Sequence, residues 1–154
     1  MQKITKYLFE KFKINQKTYT REEKVPKTKE ELLKMIKEEI NKSKEANLNY
    51  IDTSYIKDMS SLFDNLNVGE IYINEWDVSN VENMDYMFWG NPNFNCDLSK
   101  WKVNNVTSMR HMFDGCKKFN SDLSRWDTES LITCRGIFDG CDSLENKPDW
   151  AKRK

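Results

Sequence analysis

His111 is the only histidine in the chain, and no nucleophile or acid stands around it at a spacing that acyl transfer or hydrolysis uses. The four cysteines, Cys96, Cys116, Cys134 and Cys141, form no CxxC pair, and their spacings argue against zinc. Cys116 and Cys141 lie 25 residues apart, which in a stacked repeat brings them to about 4.8 Å and within disulfide reach. The polar start of the chain has no secretory leader, so reduced thiols are expected. Asp77 and Asp127, with Lys102 between them in register, read as turn formers rather than as a pair of catalytic acids. There is no Gly-rich phosphate loop either. The sequence therefore predicts no catalytic residue, no cofactor and no metal, and a protein that is not an enzyme.

What remains is chemistry of binding. Trp89 stands where equivalent positions carry Asp64, Asp114 and Asp139. An indole in place of a solvated carboxylate is expected to be partly exposed, and Trp is enriched at interface hot spots. The other reading is that it folds over its own loop, Asn91-Pro92-Asn93, or onto the N-terminal leader. A second set flanks the apolar positions Ile73, Leu98 and Leu123: Tyr72, Asp97 and Asp122 on one side, Asn74, Ser99 and Ser124 on the other. If the apolar column points inward, these six point out as a flat polar strip suited to a protein partner. Alternatively the Asp and Ser side chains serve only each other and the turns. His111 matches Ser61, Tyr86 and Gly136, a column of mixed character, so an exposed side chain is expected.

These residues are positioned by a repeat. Trp76, Trp101 and Trp126 recur every 25 residues, and other columns align without gaps. They read Ile56, Val81, Val106, Leu131; Met59, Met84, Met109, Cys134; Leu62, Met87, Met112, Ile137; and Phe63, Phe88, Phe113, Phe138. Such a period signals stacked units. Within one unit, Ser79 or Asn80 could cap a helical segment Val81–Phe88, whose apolar positions 81, 84, 87 and 88 have helical spacing. Gly90, Gly115 and Gly140 follow at the left-handed end position. Phe94–Trp101 reads as a short strand. The sequence thus predicts an α/β fold: a short right-handed leucine-rich-like solenoid of about four coils with parallel strands, preceded by a capping α-helix. A column repeated in phase serves the stack, so Trp76, Trp101 and Trp126 read as structural.

The boundaries follow. Residues 1–25 are a polar basic leader, with Ile4, Tyr7, Leu8 and Phe12 at helical spacing. It reads either as a terminus folded on the body or as a docking peptide. Residues 26–50 hold the capping helix and a polar link, with Thr28 and Glu31 as a capping box. The solenoid covers 51–141, in units 51–75, 76–100, 101–125 and 126–141. Residues 142–154 form a C-terminal cap and basic tail, where Pro148 blocks further strand pairing.

The chain has no net charge, which gives no general pull toward nucleic acid. Yet residues 1–45 carry +5 and residues 46–141 carry −6. No apolar run approaches the roughly 20 residues needed to span a bilayer. The expected location is cytoplasmic, with association to a surface or a virion left open.

The unit Trp76-Asp-Val-Ser-Asn-Val-Glu-Asn-Met-Asp-Tyr-Met-Phe88, followed by Phe94-Asn-Cys-Asp-Leu-Ser-Lys-Trp101, resembles the BspA-type bacterial surface-protein repeat. So do the lead-in Pro26-Lys-Thr-Lys-Glu-Glu-Leu32, Leu48-Asn-Tyr-Ile-Asp-Thr-Ser54 and Asp58-Met-Ser-Ser-Leu-Phe63. The resemblance covers residues 26–150. It implies a leucine-rich-like repeat fold and a binding surface without catalytic activity. The function expected is a non-enzymatic protein–protein interaction module. Its surface, under about 20 Å long, could be filled by one interface of about 800 Å². The alternative is a structural component of a larger assembly, of phage or surface type, that docks through its leader.

Overall fold

Thr28 opens α1, which spans Lys29–Lys42. The Thr28 Oγ1 accepts from the Glu31 amide at 3.2 Å, and Glu31 Oε2 accepts from the Lys27 amide at 2.7 Å. These bonds satisfy donors that a helix start leaves free. Leu32 and Ile36 are fully buried, with Leu33, Met35 and Ile40 packed at the margin of the core. The computed structural model describes residues 25–43 and 45–152. The leader's apolar stripe, Ile4, Tyr7, Leu8 and Phe12, lies outside the described residues.

After α1 come β1 (Ala46–Asn47) and β2 (Ile71–Tyr72), which pair in parallel. The link after α1 is not wholly polar. Ala46 and Leu48 are buried, and Leu48 joins the apolar column of Ile73, Leu98 and Leu123. A 3-10 helix at Asp149–Lys152 closes the described chain.

The solenoid reading is overturned. Among the described residues there is one α-helix, one pair of two-residue strands and the terminal 3-10 helix; turns and irregular backbone make up the rest. The segment Val81–Phe88 is not helical, although positions 81, 84, 87 and 88 are all buried. The reason lies in where its amides go. Met84, Tyr86, Phe88 and Gly90 donate to the carbonyls of Ser108, Arg110, Met112 and Asp114 at 2.8–2.9 Å. Those donors are not available for helical bonds. Phe94–Trp101 forms no strand either, because the Leu98 amide is taken by the Ser121 hydroxyl at 3.0 Å.

The 25-residue period persists as stacked turn rows. Isolated parallel bridges join Asp58 to Asn83, Asn83 to Ser108 and Ser108 to Thr133. In the first row Met59, Ser61, Phe63 and Asn65 donate forward to Asn83, Asp85, Met87 and Trp89. In the third, Met109, His111, Phe113 and Gly115 donate to Thr133, Arg135, Ile137 and Asp139. Alternate residues therefore send N–H forward and C=O backward. The geometry needs left-handed residues at fixed places. Ser61, Tyr86 and His111 have φ of 53°, 58° and 51°, and Gly136 has 67°. Gly140 is needed twice over: its φ is 67°, and a Cβ there would lie 3.3 Å from the Gly115 backbone.

Phenylalanine rings fill the middle. Phe63, Phe88, Phe113 and Phe138 stack at successive centroid distances of 5.3, 5.5 and 5.8 Å. Phe94 and Phe119 pair with Phe88 and Phe113 at 4.0 and 4.1 Å. The tryptophan column clips each unit to an earlier one. Trp76, Trp101 and Trp126 donate their indole N–H to the carbonyls of Leu48, Ile73 and Leu98 at 2.9–3.1 Å. Trp150 makes the same bond to Leu123 although it falls one residue early.

Candidate functional site

Two groups of surface residues emerge from this frame. The first is an open polar groove of about 590 Å³ lined by Asn95, Asp97, Ser99, Asn120, Ser121, Asp122 and Arg125. It exists because Leu98 and Leu123 are buried while Asp97 and Asp122 are exposed. The turns fix its carboxylates. Asp97 Oδ1 accepts from the Ser99 amide at 3.0 Å and from Ser121 Oγ at 3.4 Å. Asp122 Oδ1 accepts from the Ser124 amide at 2.9 Å. Asn95 and Asn120 receive the amides of Asn120 and Glu145, each at 3.1 Å. The Ser99 hydroxyl and amide hold the Asp97 pKa below the ordinary carboxylate value. The Ser124 amide and hydroxyl do the same for Asp122. Both are therefore charged acceptors near neutral pH, beside the cation of Arg125.

Of the strip residues expected from sequence, Asp97, Ser99 and Asp122 share this groove, whereas Tyr72, Asn74 and Ser124 are not among its lining residues. Tyr72 is 44% exposed, and its hydroxyl donates to Glu70 at 3.1 Å. Asn74 accepts from the Asn49 side chain at 3.0 Å. The strip thus faces outward, and its side chains also bond to one another and to the turns. Asn95, Asn120, Ser121 and Arg125 had no place among the expected site residues. Their signal was the period itself, since each lies close to Asp97 or Asp122 in its unit.

The second group surrounds Trp89, which is 38% exposed. It meets Tyr86 edge-on, with centroids 6.4 Å apart and planes at 89°. Tyr86 in turn stacks on His111 at 5.2 Å and 11°. Trp89 therefore belongs to an aromatic cluster on the turn rows, not to the polar groove. His111 is half-buried rather than exposed, and its Nδ1 lies 3.0 Å from Asp114 Oδ2. Gly136 makes room for the ring, since a Cβ there would come within 2.4 Å of it. His111, Asp114 and Asp139 each bring one ligand-type atom within 4.8 Å of the others. This one-nitrogen, two-oxygen set could accept a cation, and the sequence had shown no such cluster. Asp77 and Asp127 are turn formers, accepting from the amides of Ser79 and Glu129.

All four cysteines are buried, and none forms a disulfide. Cys116 and Cys141 donate to the carbonyls of Phe88 and Phe113, each at 3.1 Å. Burial pushes both thiols up to about 12, so they are inert packing groups.

Fold and surface together define a small repeat protein, a stack of turns presenting a polar groove and an aromatic cluster. Residues 30–150 match the family described as Mycoplasma protein of unknown function, DUF285, and the chain belongs to that family. The family falls within the BspA-like clade of surface repeats. Comparison with curated proteins and with solved structures returned no match. Among the described residues, no helix is long and apolar enough to cross a membrane.

Proposed function

We propose that this chain is a non-enzymatic protein-interaction module. The observation that carries this reading is Trp89. It is an exposed indole in a column of aspartates, held edge-on by a half-exposed tyrosine. A fixed aromatic of this kind offers contact area at small entropic cost. The polar groove supplies oriented carboxylates and hydroxyls of the sort that fill an interface rim. Its acids are held ionised by hydrogen bonds, which suits accepting bonds better than donating protons. The likeness to BspA-type repeats supports the same reading, because that type forms binding surfaces.

The test is affinity capture by the tagged full chain, first from lysate of the cell of origin and then from extracellular proteins. Mass spectrometry identifies the partner, and calorimetry measures its affinity for wild type and Trp89→Asp. The substitution is expected to weaken binding about thirtyfold, corresponding to about 2 kcal/mol. No discrete partner from either source would overturn the reading, and a partner bound equally well by both proteins would remove Trp89 from the interface.

A further inference from the structure

We propose that the last turn row, Gly136 to Gly140, is an open edge that takes up an acidic extended segment of a partner protein. This rests on the interaction-module reading but uses a different surface from Trp89 and the polar groove.

Every interior row spends its forward amides on the next row. The fourth row has none to meet. The amides of Gly136, Phe138 and Gly140 donate to no other described residue, although Ser61, Phe63 and Asn65, their counterparts in the first row, all do. The terminal segment covers only part of this end. Trp150 stacks on Trp126 at 5.9 Å and tilts on Phe138 at 6.1 Å, while Gly136 stays half-buried and Gly140 exposed.

The face is donor-only. The carbonyls of Thr133, Arg135, Ile137 and Asp139 all point back and accept from the third row. Two copies meeting at this edge would set N–H against N–H, so the edge does not pair with itself. The complementary carbonyls, those of Asp58, Ser60, Leu62 and Asp64, belong to the first row. There α1 stands in the way: Lys29 Nζ bonds Asp58 Oδ2 at 3.2 Å and Ser60 Oγ at 2.7 Å, and Leu32 and Ile36 are fully buried. Head-to-tail stacking of copies is therefore blocked as well. Among the described residues, no acceptor is left for this edge.

The surroundings state which acceptors fit. Gly136 and Gly140 are left-handed and bracket Phe138, and their three amides form a row of donors that suits carbonyl and carboxylate acceptors. Arg135 is exposed and has no ion pair among the described residues. In earlier rows, Lys57 meets Glu82 of the following row at 3.3 Å, and Arg110, one unit before Arg135, meets Asp85 of the preceding row at 2.6 Å. Asp139, the acid of this row, is already gathered with His111 and Asp114. Ile132, 77% exposed at the start of the row, offers an apolar seat. An extended segment alternating carboxylates with apolar residues would supply carbonyls to the amides, a carboxylate to Arg135 and a side chain to Ile132.

The test titrates the ¹⁵N-labelled full chain with a blocked heptapeptide of alternating Asp and Val, with its Lys–Val counterpart, and with inorganic phosphate. Saturable shifts are expected at the Gly136, Phe138 and Gly140 amides with the acidic peptide alone. Arg135→Glu and Ile132→Asp, both at exposed positions, should each weaken it about tenfold or more while other resonances stay in place. The proposal fails if those amides do not move, if the Lys peptide moves them equally, or if phosphate does so without regard to Arg135. Shifts confined to the Trp89 indole and the groove would sink this edge and leave the module reading standing.

Discussion

Phe113→Ala is expected to lower the unfolding free energy by about 4 kcal/mol, seen as a fall in urea midpoint with an unchanged slope. Phe113 is fully buried and touches four other rings: Phe88 at 5.5 Å, Phe94 at 6.3 Å, Phe119 at 4.1 Å and Phe138 at 5.8 Å. Its removal leaves a cavity in the middle of the stack. The rows on either side cannot collapse into it, because their spacing is fixed by amide bonds on both sides of the residue. Phe138, at the end of the ring column and 5% exposed, should cost less on the same truncation, since the terminal segment can settle. Equal losses at the two positions would mean that the rows do not act as a rigid spacer.

Asp85→Ala is expected to cost about 3 kcal/mol by the same measurement. The Asp85 side chain is 6% exposed and accepts from the Ser108 hydroxyl and from the Arg110 amide, Nε and Nη2. It is the hub that ties the second row to the third. Burial pushes its pKa up, but the bonds from Arg110 and Ser108 and the Arg110 charge outweigh this and hold it below the ordinary carboxylate value. A carboxyl depressed on folding stabilises the protein fully above its unfolded pKa. That contribution is lost as pH falls through the folded value. The gap in urea midpoint between wild type and Asp85→Asn should therefore be constant from neutral pH down to about 4 and shrink below it. A gap that stays constant to pH 2 would show that the carboxylate charge contributes nothing to the tie.

The period and its buried columns were legible in the sequence. Each residue of the Ile56, Met59, Leu62 and Phe63 columns is buried, and the indole column clips the stack. The cap of α1 was legible in Thr28 and Glu31. The conformation between the columns was misread, because a spacing of 81, 84, 87 and 88 suits one helical face and a tight turn row equally well. Two signals pointed the other way. Asn65, Gly90, Gly115 and Gly140 put a residue tolerant of positive φ in every unit, two places after the phenylalanine. Segments such as Asn95-Cys-Asp-Leu-Ser99 are rich in Asn, Asp and Ser, which disfavour strands. The site was legible in part. Asp97, Ser99, Asp122 and Trp89 are at the surface as expected, but the stacking of Tyr86 on His111 depends on their shared left-handed backbone, which no residue type there announces.

The central claim is that the amides of each row run forward to the next unit rather than back along a helix. The groove, the aromatic cluster and the open edge all depend on it. Scalar couplings across hydrogen bonds in the labelled full chain identify the acceptor of each amide. The account predicts couplings from Phe88 to the Met112 carbonyl and from Phe113 to that of Ile137. Couplings from Phe88 to Met84 and from Phe113 to Met109, four residues back, would show helices in these segments and contradict it.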